Sequence, residues 1–168
     1  MSETRREFLQ KTGCLALAFN LPMDLSAAPE TRLVTDGQPP LEPSAFLRLD
    51  KDGSVTVWAN RSDMGQGIRT SIAMAVAEEL EADMARVHVR QASTHPRFGD
   101  LGITGGSQST RSTLKPFRQV GATARELLLQ AAAATWGVPQ AECHARKGIV
   151  HHGPSKKKLA FGELVAKA

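Results

Sequence analysis

Residues 55–80 read VTVWANRSDMGQGIRTSIAMAVAEEL, and this stretch decides the fold. Every second residue from Val55 to Ala59 is apolar, which predicts a strand with one buried face. Large apolar residues then recur at intervals of four, at Ile68, Ile72, Val76 and Leu80. That spacing, with alanines in between, predicts an amphipathic helix of about four turns. A strand therefore leads into a helix through the glycine-flanked segment 65–67.

The sequence on either side extends this unit into a sheet. Upstream, an apolar segment at 46–49 precedes the turn signal Asp50-Lys51-Asp52-Gly53. This arrangement predicts a hairpin with the strand at 55–59, and regular structure should begin near Ser44. Downstream, the alternation at 87–91 predicts a third strand.

A second and much longer helix is predicted after the loop at 93–106, which is rich in glycine. The helix should run from about Ser107 to Trp136, where Gly137 would end it. Pro116 lies near its first turns, so a bend and a later start are both open. Its expected apolar stripe consists of Leu114, Phe117, Gly121, Ala124, Leu128, Ala131 and Thr135.

The tail completes the predicted fold. Short strand-like pieces surround Gly148 and Gly153, and residues 161–164 should form a last helical turn. Cys143 is expected to be a half-buried structural thiol. The adjacent pair His151-His152 is expected to be structural, because neighbouring side chains point in different directions. The predicted fold class is α+β, a small mixed sheet with two principal helices.

Composition limits the classes of function. The chain has 168 residues, 41% of them hydrophobic, which suits one ordinary folded domain. Its two cysteines are too few for a four-cysteine zinc or iron–sulfur site held by this chain alone. No run of about 18 apolar residues exists, so no spanning helix is expected. The net charge of +4 favours a mildly basic surface, and we expect no nucleic-acid partner.

The first residues have the features of an export signal. The run Thr4-Arg5-Arg6-Glu7-Phe8-Leu9 resembles a twin-arginine motif, and small residues at 26–28 offer a cleavage site. An ordinary amphipathic first helix is the alternative interpretation. We therefore divide the chain into a signal at 1–28, a linker at 29–43 and a domain at 44–168. The expected location is periplasmic, or on the periplasmic side of a membrane, after twin-arginine export.

Two glycine-containing loops with a shared design are the candidate sites of chemistry. Each leads into the N-terminus of a predicted helix, where unpaired N–H groups and the helix dipole favour an anion. The glycines allow a ligand to approach the backbone closely, which suits a phosphate or pyrophosphate. The alternative is that the glycines are turns and the hydroxyls are helix caps. The residues concerned are Gly65, Gln66 and Gly67 in the first loop and Gly105, Gly106, Ser107, Ser109 and Thr110 in the second.

The two loops also carry a resemblance. The segment 60–70, with Ala75-Val76-Ala77-Glu78-Glu79-Leu80 after it, resembles the molybdopterin-binding subunit of the xanthine dehydrogenase/aldehyde oxidase superfamily. The loop Thr104-Gly105-Gly106-Ser107-Gln108-Ser109-Thr110 falls where that family has its second cofactor loop. The tail, with 148–153 and 161–164, resembles the exported branch that includes the beta subunits of isoquinoline 1-oxidoreductases and membrane-linked aldehyde dehydrogenases.

The resemblance implies a molybdenum–pterin cofactor, in its plain or its dinucleotide form. Gln66 would lay its amide against the cofactor, with Gly65 and Gly67 keeping the approach open. The second loop, at 105–110, would hold the phosphate or pyrophosphate end. Because family subunits are several times longer, the family's catalytic glutamate is expected outside this sequence, and the catalytic residues here are unknown.

The implied activity is the oxidation or hydroxylation of an aldehyde or N-heterocycle, with water as the oxygen source. The implied partners are the remainder of the molybdenum subunit, a small subunit carrying the 2Fe-2S clusters, and a cytochrome as a further candidate acceptor. This chain alone is not expected to be catalytically complete. The alternative is a stand-alone exported binding or assembly module without catalysis.

Overall fold

The computed structural model describes residues 41–98 and 101–168, which form two sheets and three α-helices. The strands of the first sheet are β1 (Leu41–Ser44), β2 (Leu47–Leu49), β3 (Val55–Ala59) and β4 (Val87–Gln91). Those of the second are β5 (Cys143–Arg146), β6 (Ile149–His152) and β7 (Lys158–Ala160). The α-helices are α1 (Ile68–Leu80), α2 (Ser109–Trp136) and α3 (Phe161–Leu164). Short 3-10 turns cover Met84–Arg86, Pro96–Phe98 and Gln140–Glu142.

The first sheet is mixed, as predicted. Its order is β1-β2-β3-β4, and β2 pairs antiparallel with β3 as the expected hairpin. β4 pairs in parallel with β3 from Val55↔Val87 to Ala59↔Gln91. A parallel pair needs a crossover connection, and α1 provides it. The loop before α1 therefore starts at the carboxyl end of a sheet strand, where α/β units place ligands.

Regular structure begins earlier than the sequence indicated. The prediction put residues 29–43 in a linker, but β1 already starts at Leu41 and pairs antiparallel with β2. The register shifts between Leu41 and Ser44, and Ser44 Oγ accepts a hydrogen bond from the Phe46 N–H at 3.1 Å. Pro43 concealed this strand because proline is typical of linkers, yet an edge strand tolerates it.

The two long helices pack against each other and against the first sheet. All four residues of the predicted α1 period are buried, as are Phe117, Gly121 and Leu128 of α2. Two members of the predicted α2 stripe are not buried: Leu114, which is 42% exposed, and Thr135. Thr113 takes the buried position next to Leu114, and its hydroxyl donates to the Ser109 carbonyl at 2.6 Å.

Pro116 does not delay the start of α2. The helix begins at Ser109, before the proline, and continues through it to Trp136. The missing N–H of Pro116 removes the hydrogen bond to the Ser112 carbonyl without ending the helix. Gly137 ends it in the left-handed conformation, with φ of 66°.

The tail forms its own antiparallel sheet, in the order β5-β6-β7. The prediction of strands around Gly148 and Gly153 is confirmed, but these strands do not join the first sheet. Val150, Phe161 and Leu164 anchor the tail in the same hydrophobic core as the sheet and helices. At Gly162 the backbone of α3 lies against Lys51 of the β2–β3 turn.

Among the described residues, no helix is both long enough and apolar enough to cross a membrane. The predicted export signal and most of the predicted linker lie outside the described residues.

Candidate functional site

The two glycine-containing loops are in direct contact. We call residues 60–67 the first loop and residues 101–108 the second loop. The backbone N–H of Ser62 donates to Thr104 Oγ1 at 3.0 Å, which joins residues 42 positions apart in sequence. The N-termini of α1 and α2 therefore open toward one shared region. The structure thus joins the two loops that carry the predicted site residues, through Ser62 and Thr104 and through Arg61 and Gly102.

The first loop is organised by the side chain of Gln66. Its Oε1 accepts a hydrogen bond from the Met64 N–H at 2.6 Å, and its Nε2 donates to the Ser62 carbonyl at 2.9 Å. Gly65 and Gly67 have φ of 95° and 78°, a conformation that disfavours other residues. A Cβ at either glycine would meet nothing within 4 Å, so the outer side of the loop is open. Gln66 thus shapes the loop in addition to its predicted contact with a ligand.

The N-terminus of α1 already holds an anion from the chain itself. Asp63 accepts hydrogen bonds from the Gly65 N–H at 2.9 Å and from the Arg69 N–H at 3.4 Å. The Gly65 N–H is the largest influence that holds the pKa of Asp63 below its ordinary value, and the N–H groups of Arg69 and Gly67 act in the same direction. The carboxylate therefore occupies the place that the sequence analysis offered to a phosphate.

In the second loop, by contrast, no side chain among the described residues caps the N-terminus of the helix that follows. Gly106 and Ser107 both have positive φ, at 57° and 56°. The N-cap residue of α2 is Gln108, and it makes no side-chain capping hydrogen bond. The hydroxyls of Ser107, Ser109 and Thr110 cap no backbone N–H among the described residues, so the helix-cap alternative is wrong for them. The first N–H groups of α2 remain available to an anionic group.

Arg61 lies where both loops meet α2. Its Nη1 donates to the Asn60 carbonyl and its Nη2 to Ser112 Oγ, both at 3.3 Å. Its guanidinium also lies beside Gly102, where an added Cβ would come within 2.8 Å of Nη1. A positive charge is thereby fixed next to the N-terminus of α2. Arg69, the other arginine near the first loop, instead donates to the Val89 carbonyl at 3.3 Å and ties α1 to β4.

Apolar side chains border the polar loops. Met64 of the first loop is 72% exposed and Ile103 of the second loop is 83% exposed. The region therefore combines the N–H donors at the start of α2, the fixed charge of Arg61 and two exposed apolar side chains.

The structure also forms a cluster that the sequence analysis missed. His152 is buried, and its Nδ1 lies 2.6 Å from Ser155 Oγ and 3.3 Å from the Ser155 backbone nitrogen. Its Nε2 lies 2.7 Å from Glu142 Oε2. These bonds close the β6–β7 turn and hold it to the 3-10 turn before β5. Nothing in the spacing of the three residues indicated this contact.

Other candidates have structural roles. No group of three or more metal-ligating side chains occurs in the described ranges. Cys143 is buried, and burial, followed by the Glu142 charge, raises the pKa of its thiol. Glu79 accepts a hydrogen bond from Arg118 Nε at 2.7 Å and joins α1 to α2.

Comparisons with known proteins show which family the sequence matches. A family model described as the molybdopterin cofactor-binding domain matches residues 14–168. The beta subunit of isoquinoline 1-oxidoreductase from Brevundimonas diminuta is 34% identical over 169 residues, which cover 97% of this chain and 22% of that protein. A nicotinate dehydrogenase subunit from Pseudomonas putida is 34% identical over 162 residues, covering 96% of this chain and 13% of that one. The chain thus spans less than a quarter of the length of these relatives.

Solved structures show the same fold. Quinoline 2-oxidoreductase from Pseudomonas putida matches with a TM-score of 0.58 and 24% identity, over 71% of this chain and 15% of that one. Carbon monoxide dehydrogenase from Oligotropha carboxidovorans matches with a TM-score of 0.60 and 22% identity, over 70% of this chain and 15% of that one. The family match confirms the resemblance drawn from the loop sequences, while the roles of individual site residues stay predictions.

Proposed function

Because the chain belongs to the family of molybdopterin cofactor-binding domains, we propose that its two joined loops hold the cofactor of an exported oxidoreductase. The observation that carries the proposal is the hydrogen bond between Ser62 N–H and Thr104 Oγ1, which brings both candidate loops to one place. The available N–H groups of α2 and the fixed charge of Arg61 fit the cofactor's phosphate end. The pterin end is assigned to Gln66 and the glycines on either side of it.

The wider enzyme follows from the relatives. When bound, the molybdenum–pterin cofactor would supply the redox chemistry by which an aldehyde or N-heterocycle is oxidised with water as the oxygen source. The relatives include an isoquinoline oxidoreductase, a nicotinate dehydrogenase and a membrane-bound aldehyde dehydrogenase, so this substrate class is the one we propose. We further propose a 2Fe-2S partner subunit, a cytochrome acceptor and the dinucleotide form of the cofactor.

The second loop provides the test of cofactor binding. In the assembled enzyme, the double substitution Ser107→Ala and Ser109→Ala should remove two hydroxyl donors from the phosphate end. We expect cofactor affinity to fall by about 2–4 kcal/mol, seen as a lower molybdenum content of the purified enzyme. Because neither hydroxyl caps the helix, the melting temperature of the metal-free protein should change by no more than a surface substitution causes, within about 0.5 kcal/mol of stability.

Thr123→Ala is the matched control, because Thr123 presents an exposed hydroxyl on the same helix about four turns further along. Its molybdenum content should equal that of the parent enzyme. Full molybdenum occupancy in the double variant would contradict the assignment of the second loop. A purified chain that binds no cofactor in any assembly would favour a stand-alone module.

Export is a separate proposal, supported by Arg5 and Arg6 in the twin-arginine-like run. Replacement of both by lysine keeps the charge but removes the paired guanidinium groups that the motif requires. We expect the variant to remain in the cytoplasm, measured as its share of the periplasmic fraction beside a co-expressed exported protein. Equal export of parent and variant would contradict the proposal.

A further inference from the structure

A small pocket of about 90 Å³ lies between α2 and the ends of β2 and β3. Thr113 and Phe117 line it and are buried, whereas Ser112 and Pro116 line it and are exposed, so the pocket opens to solvent on one side. Phe46 packs edge-to-face against Phe117, with ring centroids 5.7 Å apart, and forms an apolar wall. The space is that of about three water molecules, which is room for one small ring.

The polar side chains that line this pocket can accept hydrogen bonds into it. Asn60 Oδ1 is buried and has no hydrogen-bond partner among the described residues. The Thr113 hydroxyl donates to the Ser109 carbonyl at 2.6 Å. The Ser112 hydroxyl donates to the Gln108 carbonyl at 2.8 Å. Because a hydroxyl has a single hydrogen, neither of these two can donate into the pocket.

Pro116 provides a second acceptor beside Asn60. In a regular α-helix the Ser112 carbonyl would accept from the N–H of residue 116, and proline has no N–H. This carbonyl is directed along α2 toward the ring of Pro116, which lines the pocket. A buried acceptor without a donor costs free energy, and a ligand with an N–H or O–H group would recover it.

We propose that this pocket binds a small neutral molecule with an apolar body and one N–H or O–H donor, which Asn60 Oδ1 and the Ser112 carbonyl accept. The apolar side chains around these acceptors favour a neutral ligand over an ion. They are Phe46, Pro116, Phe117 and Val120. The predicted cofactor contacts, at 65–67 and 105–110, do not line the pocket, so this inference is independent of the proposed function.

The test compares two rings of the same size on the full chain, labelled with ¹³C and ¹⁵N. Pyrrole carries an N–H donor where furan carries an acceptor oxygen. Each is titrated while the methyl shifts of Val120, in the pocket, and of Val150, buried elsewhere in the core, are followed. Pyrrole should shift Val120 and bind about 3- to 10-fold more tightly than furan, the effect of one neutral hydrogen bond. The Val150 shifts should stay unchanged.

Two substitutions test the acceptors. Asn60→Leu replaces the amide with an apolar side chain of similar size, so pyrrole and furan should bind equally. Pro116→Ala restores an N–H for the Ser112 carbonyl and also favours the helix, so it provides the test if Asn60→Leu fails to fold. Its preference for pyrrole should be smaller than that of the parent. Gln119→Leu removes an exposed amide of α2 outside this pocket and should keep the parent preference.

Three outcomes would overturn the proposal. The first is a parent chain that binds furan as tightly as pyrrole or more tightly. The second is a Val120 methyl that responds to neither ring, which would mean that the pocket holds only water. The third is an unchanged preference for pyrrole in both folded variants.

Discussion

Three glycines differ in the space that an added side chain would find. A Cβ at Gly121 would lie 2.7 Å from the Val76 carbonyl oxygen and 3.1 Å from Glu79 Cβ, at the crossing of α1 and α2. A Cβ at Gly162 would overlap the Lys51 carbonyl oxygen, which belongs to a tight turn. A Cβ at Gly153 would meet nothing within 4 Å. The first two glycines therefore permit contacts between backbones, and the third does not.

Alanine substitution at these glycines should produce a graded loss of stability. Gly121→Ala overpacks the helix crossing and should lower the free energy of unfolding by about 1–3 kcal/mol. Gly162→Ala should reach or exceed the upper end of that range, because the opposing atom is backbone and cannot change rotamer. Gly153→Ala serves as the control and should stay within about 0.5 kcal/mol of the parent. Urea denaturation followed by circular dichroism measures all three.

Equal stabilities of the Gly121→Ala and Gly153→Ala chains would show that α1 and α2 can separate freely, contrary to the close crossing. The sequence placed Gly121 correctly in the α2 stripe, because helical periodicity is a local property. It could not show which carbonyl opposes this glycine. For the same reason it identified the glycines of the first loop but not the role of Asp63, which depends on the path of the backbone between them.

At the scale of elements, the second sheet contains a pair of histidines through which its stability should depend on pH. His144 of β5 lies opposite His151 of β6, and their rings stack with centroids 5.3 Å apart and planes 13° apart. Burial lowers the pKa of His151 below its ordinary value of 6.5, and the charges of His144, Lys158 and Arg146 lower it further. The folded chain therefore disfavours the protonated ring.

This shift predicts a loss of stability in mild acid. The unfolded chain binds a proton at His151 at higher pH than the folded chain does. The stabilisation is therefore complete above the ordinary pKa of 6.5 and is lost as the pH falls through the folded pKa. His151→Gln should reduce the fall in melting temperature between about pH 7.5 and 5.

His88→Gln is the control, because His88 is exposed on β4 of the other sheet. This variant shows how far the loss of any exposed histidine changes the melting curve, apart from the His144–His151 pair. A His151→Gln curve parallel to that of the parent would show that this ring does not titrate differently in the folded chain.

Prediction of the elements succeeded where the signal was local. The period of four gave α1, and Gly137 gave the end of α2, because both reflect residues within one or two turns. Prediction was incomplete where the local signal is weak: Pro43 concealed β1, and the strand-like pieces of the tail did not show that β5–β7 form a separate sheet. Thr113 is buried where Leu114 was predicted to be, because packing against the sheet and α1 determines which side of α2 is buried.

At the scale of the whole molecule, the candidate site is open. Gly65, Gln66 and Ser107 are all exposed, and Met64 and Ile103 extend apolar side chains into solvent. Catalysis benefits when an active site excludes water and surrounds the reacting groups. The relatives are far longer, since this chain covers 22% and 13% of two of them.

The last prediction follows from this openness. The purified chain, supplied with molybdenum–pterin cofactor and an artificial dye acceptor, should reduce no dye with benzaldehyde or isoquinoline above the rate of a chain-free sample. Under the proposed function the two loops bind the cofactor, the family's catalytic glutamate is expected outside this sequence, and the exposed loops leave the site open to water. Isoquinoline 1-oxidoreductase of Brevundimonas diminuta, as the complete enzyme, is the positive control. Cofactor retained by the chain on gel filtration without dye reduction would agree with a binding region that depends on additional polypeptide. Turnover by the chain alone would mean that its own residues complete the active site.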